Sequence, residues 1–293
     1  MIAWTKQFPA WEKPLGYLRL LRARHRFFDR IGFRRGGVGW ILGDQYRIAA
    51  LRDRHRGQRA FIIANGPSLN ELDLSPLRNE ITFGCNGIYK KFPEWGWHVD
   101  YLMMEDIEQT ELRRRDIAGV KGPLKFFALY NAYAVPADHD TIFFNAPRFR
   151  GNLYYWNELY PQFSCDFAAI AHLGSTVTYL MLQLAYHMGC DPVYIIGLDH
   201  DYGTLPAQHA SHKIAITREN IAQVKGLHFS NEYYKEGDLI GVPDVARQEA
   251  AYALAREVYE ASGRRIYNAS ARTKLEVYER VEFASLFGAG EGR

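Results

Sequence analysis

Cysteine is scarce in this 293-residue chain: Cys85, Cys165 and Cys190 are odd in number, far apart and free of any CxxC spacing. That argues against a disulfide framework and a structural zinc site, and it fits a reducing compartment. Long apolar runs are missing too. The longest helical one, 177–188, is interrupted by Gln183 and His187 and is shorter than a bilayer requires. The first residues carry no apolar leader with a small-residue cleavage site, so a secretory signal is not expected. Neither a Walker loop nor a GxGxxG fingerprint occurs, and neither do internal repeats or low-complexity tracts.

What is present is ordinary soluble material, 47% hydrophobic and 24% charged, with a hidden charge asymmetry. Residues 1–60 carry 14 Lys/Arg against 4 Asp/Glu, and the remainder 22 against 29, so the net charge of +3 conceals a basic end on an acidic body. Within a helical N-terminal segment, 1–56, the stretch LGYLRLLRARHRFFDRIGFRRGG sets Leu18, Leu21 and Phe28 among Arg19, Arg22 and Arg26 and ends at Gly36–Gly37. Such a basic amphipathic helix suits an anionic lipid surface or an anionic carrier. It also suits, and more commonly serves, an apolar face packed on the body or on a second copy of the chain. The location that follows is cytoplasmic, with the inner face of a membrane as a peripheral attachment point.

From residue 60 onward, short apolar segments alternate with helical patterns. Strands are expected at 60–64, 81–85, 101–105, 125–129, 141–145, 192–197 and 265–268, and helices at 174–188 and 243–262. This alternation predicts an α/β fold, a Rossmann-like doubly wound, mostly parallel sheet. It would occupy 57–287, with a long polar and aromatic lid insertion at 201–242 and a short tail at 288–293.

Such sheets bind ligands outside the carboxyl ends of their strands, so the residues that follow each strand matter most. The first strand leads into Asn65, Gly66, Pro67 and Ser68, a spelling that serves a plain turn or a loop approaching a phosphate. Asn86 and Gly87 follow the second. Glu105 and Asp106 end the third, where acids can accept sugar hydroxyls, hold Mg²⁺ or stand solvated. Gly174, Ser175 and Thr176 open an apolar helix, either as an anion site or as a simple cap. Gly197, Asp199, His200 and Asp201 crowd the end of a central strand. In the lid, His228 stands near Tyr233 and Tyr234 and can serve as a general base, although His209 and His212 in the same insertion dilute that signal.

Strand-then-NGPSL, a second strand ending CN, a helix opened by Gly-Ser-Thr and strand-then-GLD occur here in one order. That order resembles the family 42 sialyltransferases and the related domain named for archaeal hydroxymethylpterin diphosphokinases, which also occurs in flagellin glycosyltransferases. The likeness runs from about residue 60 to 283 and closes on GRRIYNASARTKLEVYERVEF. ANGPS, GST and LDHD match the wider diphosphokinase-named group better than the sialyltransferases. The resemblance implies a glycosyltransferase that inverts at the anomeric carbon, takes an acidic sugar from a CMP-activated donor and requires no cofactor. Asn65, Gly66, Pro67, Ser68 and Asn86 would line the nucleotide, and Glu105 and Asp106 would lie beside the donor. Gly174, Ser175 and Thr176 would face the cytidine or sugar, with Gly197, Asp199 and His200 at the pocket floor. His228 would deprotonate the acceptor, and Tyr233 and Tyr234 would bind the leaving phosphate. The partners would be a CMP-sugar and a glycan or lipid-linked acceptor, with no nucleic acid; the basic N-terminal segment, apart from the resemblance, adds an anionic membrane surface. The alternative is a Mg²⁺-dependent ATP pyrophosphokinase, in which Asp199, Asp201 and Glu105 would ligate the metal. A nucleotide-sensing protein that has lost its chemistry is a third reading of the same pocket.

Overall fold

The computed structural model describes residues 14–30, 42–146, 161–203, 213–230 and 233–288. The helix end at Gly36–Gly37, His209, His212 and the tail beyond Gly288 lie outside these. Eight strands form one sheet: β1 (Ala60–Ile63), β2 (Ile81–Cys85), β3 (Tyr101–Met104), β4 (Leu124–Ala128), β5 (Thr141–Phe144), β6 (Val193–Ile196), β9 (Ile266–Asn268) and β10 (Glu279–Arg280). Their order across the sheet is β10-β9-β6-β1-β2-β3-β4-β5. Every pairing among them is parallel. The fold is thus the expected Rossmann-like α/β type, with the seven expected strands in place. The two-residue β10 carries too little pattern to be read from sequence.

Both faces of the sheet are covered, which is why the strands read as unbroken apolar runs. Alternate residues of β1 serve two cores: Ala60 and Ile62 belong to one, Phe61 and Ile63 to the other. On the first face lie Leu180 and Leu184 of α5 (Val177–His187) and Tyr252, Ala255 and Tyr259 of α7 (Val245–Ala261). On the second lie Leu69, Ile88 and the lid residues Phe229 and Tyr233. Burial of each such large side chain contributes about 1.5–3 kcal/mol. Through these residues the 201–242 insertion is part of the second core.

The N-terminal segment joins the body through two helices, α1 (Pro14–Arg30) and α2 (Leu42–Ala49). Arg24 of α1 pairs with Glu111 at 3.2 Å, and the Phe27 ring lies 6.0 Å from that of Tyr133. These residues of α1 therefore pack on the body, whereas Leu18 is exposed. Helix α2 covers the edge strand β5. Asp44 accepts the Phe143 N–H at 3.1 Å, and Arg47 donates to the Thr141 carbonyl at 2.6 Å. Edge groups that would otherwise template association are thereby used up. Ile48 of the same helix is fully buried in the core, although composition grouped it with a peripheral segment.

The insertion at 201–242, expected to hold little regular structure, contains an antiparallel pair, β7 (Lys213–Ala215) and β8 (Leu239–Gly241), and a short helix α6 (Ile221–Lys225). The pairing is three residues long, which explains why no period-2 signal marked it.

Candidate functional site

Strand β1 pairs with β2 on one side and β6 on the other, so the winding reverses between β1 and β6. In doubly wound sheets the ligand crevice opens at that switch point, beyond the carboxyl ends. The loop after β1 and the turn after β6 flank that point and are tied together. Gly66 N–H donates to the Gly197 carbonyl at 2.7 Å, Ser68 N–H donates to Asp199 Oδ2 at 2.9 Å, and the Ser68 hydroxyl donates to Asp199 Oδ1. Pro67 starts the 3₁₀ turn Pro67–Glu71, where a missing N–H costs nothing. Gly66 is required by contact: a Cβ there would stand 2.5 Å from Asp199 Oδ1 and 2.6 Å from the Gly197 carbonyl. Burial raises the Asp199 carboxyl above its usual range, while its Ser68 hydrogen bonds pull it back.

Three candidate residues adopt the left-handed backbone that side chains disfavour: Asn86 (φ 49°), Ser175 (φ 59°) and His200 (φ 53°). Each such residue costs of order 1–3 kcal/mol and persists where its surroundings over-determine it. They sit after β2, before α5 and after β6, around one edge of the sheet. The buried His200 places Nε2 3.3 Å from Glu249 Oε1. The Tyr202 hydroxyl donates to Gln248 Oε1 at 2.7 Å, and Gln248 Nε2 donates to the Ser175 carbonyl at 3.0 Å. These bonds join the turn after β6, helix α7 and the Gly174–Thr176 segment. Thr176 caps α5 by accepting the Thr178 N–H, as the simpler reading of that motif anticipates. Gly174 lies under the Tyr179 ring, 2.4 Å from where a Cβ would be.

At the next strand ends, Asn65 Nδ2 donates to the Cys85 carbonyl at 3.1 Å, linking β1 to β2. The Glu105 carboxylate accepts from the Tyr130 hydroxyl. Beyond the one-turn helix α3 (Phe92–Trp95), Asp106 caps α4 (Ile107–Gly119), accepting the Gln109 N–H at 2.7 Å.

The lid is clasped onto this edge. Phe229 N–H donates to the Asn65 carbonyl at 2.9 Å, and Asn70 Nδ2 donates to the Phe229 carbonyl at 2.8 Å. Gly87 N–H donates to the Tyr233 hydroxyl at 3.3 Å. From α4, Arg113 donates to the Tyr233 carbonyl at 2.7 Å and Gln109 to the Leu239 carbonyl at 3.1 Å. His228 lies stacked on the Tyr233 ring at 4.1 Å and edge-on to Tyr234 at 5.0 Å. Burial, then the nearby Arg113 guanidinium, push its imidazole down to about 3, so it is neutral at ordinary pH. Lys90 is likewise held down, to about 8, by burial and by Arg113 and Lys235. Tyr233 is buried with its hydroxyl engaged by Gly87, so in this conformation it frames His228.

Sequence reasoning missed Arg113, Gln109, Glu249, Asn131 and Asn145. Gln109 and Arg113 stand one helical turn apart on α4, a spacing also found on any solvated helix, so no signal separated them. The buried side-chain atoms of the described residues that lack a hydrogen-bond partner include six at this edge: Oδ1 of Asn65, Asn86, Asn131 and Asn145, and Nδ1 of His200 and His228.

The alternative metal ligands are each engaged elsewhere. Asp199 is tied to Ser68, Glu105 to Tyr130, and Asp201 to Lys274 Nζ at 3.0 Å. Among the described residues no three His, Cys, Asp or Glu side chains are grouped as a metal centre would need. Among them, too, no helix is long and apolar enough to cross a membrane.

Among solved structures, the chain is similar to a MAf glycosyltransferase from Magnetospirillum magneticum AMB-1. The two share 15% identity with a TM-score of 0.46, over 93% of this chain and 43% of that one. The chain thus spans less than half of that protein's length. A mammalian sialyltransferase in complex with Gal-beta-1-3GalNAc-ortho-nitrophenol shares 10% identity and a TM-score of 0.35, over 92% of this chain and 93% of that one. No curated protein matches the chain at a significant level. The family model described as 6-hydroxymethylpterin diphosphokinase MptE-like matches residues 43–204, from α2 through the turn after β6. That match covers more than half of the chain and both segments that flank the switch point, and the protein belongs to the MptE-like family.

Proposed function

We propose that the protein is a glycosyltransferase that takes an acidic sugar from a CMP-activated donor and inverts it onto a glycan or lipid-linked acceptor. The observation that carries this reading is the clasped lid, which sets a neutral histidine, His228, over the ends of β1 and β2 beside the switch point. A base must be unprotonated before reaction, and His228 is. Its weakness as a base follows from burial beside Arg113, and an arriving donor phosphate would offset that positive field and strengthen it. In the step itself, the acceptor hydroxyl attacks the anomeric carbon as its proton passes to His228. The glycosidic C–O bond forms and the bond to the nucleotide phosphate breaks, so CMP leaves with the electron pair. Arg113 and Lys90 supply positive potential near the departing charge. Ser68 and Asp199 shape the crevice by holding its walls together, and Asn86, Ser175 and His200 hold strained positions around it. The basic face of α1 is the proposed contact for an anionic membrane or a lipid-linked acceptor.

The family match favours a second reading, pyrophosphoryl transfer from Mg·ATP to a hydroxymethyl acceptor. A thermal-unfolding series with CMP, CDP, UDP, GDP and ATP, with and without Mg²⁺, separates the two. Saturation by CMP at 100 times its Kd stabilises by about 2.7 kcal/mol, with no need of metal, under the first reading. Stabilisation by Mg·ATP alone, abolished by EDTA, would replace it with the second.

A further inference from the structure

Beyond the switch point, the far half of the edge carries two asparagines that no motif marked. Asn131 lies in the turn that follows β4 and is fully buried; Asn145 follows β5 and is 9% exposed. The two strand ends are neighbours, with Ala128 and Phe144 in register. Asn131 Nδ2 donates to the Glu105 carbonyl at 2.7 Å, and Asn145 Nδ2 donates to the Ala169 carbonyl at 3.1 Å. A main-chain carbonyl can only accept, so both amides are fixed with nitrogen toward the backbone. Both Oδ1 atoms remain, buried and without a partner. A buried acceptor left unmade costs about 1–3 kcal/mol, and here the same arrangement occurs on two adjacent strand exits.

The polarity of these free atoms specifies their complement. Phosphate and carboxylate groups present acceptors and would face like against like. Hydroxyl, amino and ring N–H groups present donors. We infer that Asn131 and Asn145 form a subsite, distinct from the nucleotide walls, for a neutral substrate group rich in hydrogen-bond donors. Two sources share that chemistry: the hydroxyls of a pyranose, or the amino and ring N–H edge of a hydroxymethylpterin. The subsite rests on reading this edge as the transfer site, with the second substrate entering beside β4 and β5.

The test uses the full chain and single probes: galactose, N-acetylglucosamine, mannose and 6-hydroxymethylpterin, with pyrophosphate as the acceptor-only control. Saturation-transfer NMR reads binding, and the side-chain amide resonances of Asn131 and Asn145 in the wild type read location. We expect at least one neutral probe to bind and shift both amides, pyrophosphate to leave them unmoved, and N145A to weaken that probe by about tenfold. CMP stabilisation should stay unchanged in N145A. The inference is overturned if no neutral probe moves either amide, the result expected were each oxygen held only by a structural water. Should N145A not fold, the wild-type amide shifts still decide. Probe binding without any CMP response would sink the CMP-transfer reading and leave the subsite standing; the reverse would sink the subsite alone.

Discussion

Ser68 and Asp199 face each other across the switch point, the serine donating both its N–H, at 2.9 Å, and its hydroxyl to one buried carboxylate. Ser68 is fully buried, so this contact joins the loop after β1 to the turn after β6 rather than waiting on solvent. Replacing Ser68 with alanine should therefore destabilise the fold by about 1–3 kcal/mol in denaturant unfolding at neutral pH. It should also raise the already elevated Asp199 carboxyl further, because the hydroxyl favours the ionised form. Stability contributed by an acid so raised falls as pH climbs from its unfolded to its folded value. In S68A that decline should extend to higher pH, and an Asp199 titration that does not move would refute the account.

His228 gives a slope of the opposite sign. Its folded value, about 3, lies below the ordinary histidine value of 6.5. The unfolded chain therefore binds the extra proton between those limits, and stability drops as pH falls through that window. The contribution is at most about 1.4 kcal/mol per pH unit for one proton. H228N should flatten that part of the wild-type curve. R113Q should move the His228 titration upward, since it removes a neighbouring cation, and NMR of the imidazole reads the shift directly.

Under the proposed transfer reaction, H228A should lower the rate by roughly 10²–10⁴-fold while CMP binding survives. A variant with unchanged turnover would remove His228 from the mechanism without touching the nucleotide site.

Gly87 tests the lid clasp. A Cβ at that position would stand 2.7 Å from the Tyr233 ring, which the lid cannot accommodate without shifting. G87A should loosen the clasp, costing about 1–3 kcal/mol and raising amide exchange at Phe229 and Tyr233. Exchange confined to wild-type levels would show that the lid tolerates the displacement.

At the far edge of the sheet, D44A should free the Phe143 N–H and expose β5. The expected loss is about 1–3 kcal/mol, together with increased self-association in light scattering. A variant whose association state and stability both match the wild type would mean that α2 does not guard this edge.

The amino-acid order alone determined the parallel α/β fold, because strands covered on both faces must be apolar throughout and the turns after them must be small and polar. It also located the loops at Asn65–Ser68, Asn86 and Gly197–Asp201, since the carboxyl ends of such strands are where a doubly wound sheet leaves room. Tertiary structure decided what those residues do. Ser68 and Asp199, 131 positions apart, became partners only when β6 came to lie beside β1. Arg113 and Gln109 acquired their meaning only because the 201–242 insertion packs against α4. Asn131 and Asn145 became notable once each had used its amide nitrogen on a distant carbonyl, leaving an oxygen unpaired. Periodicity and turn chemistry act over a few residues and can be read along the chain. Hydrogen-bond satisfaction in a buried site depends on which segments meet, and only the folded arrangement settles that.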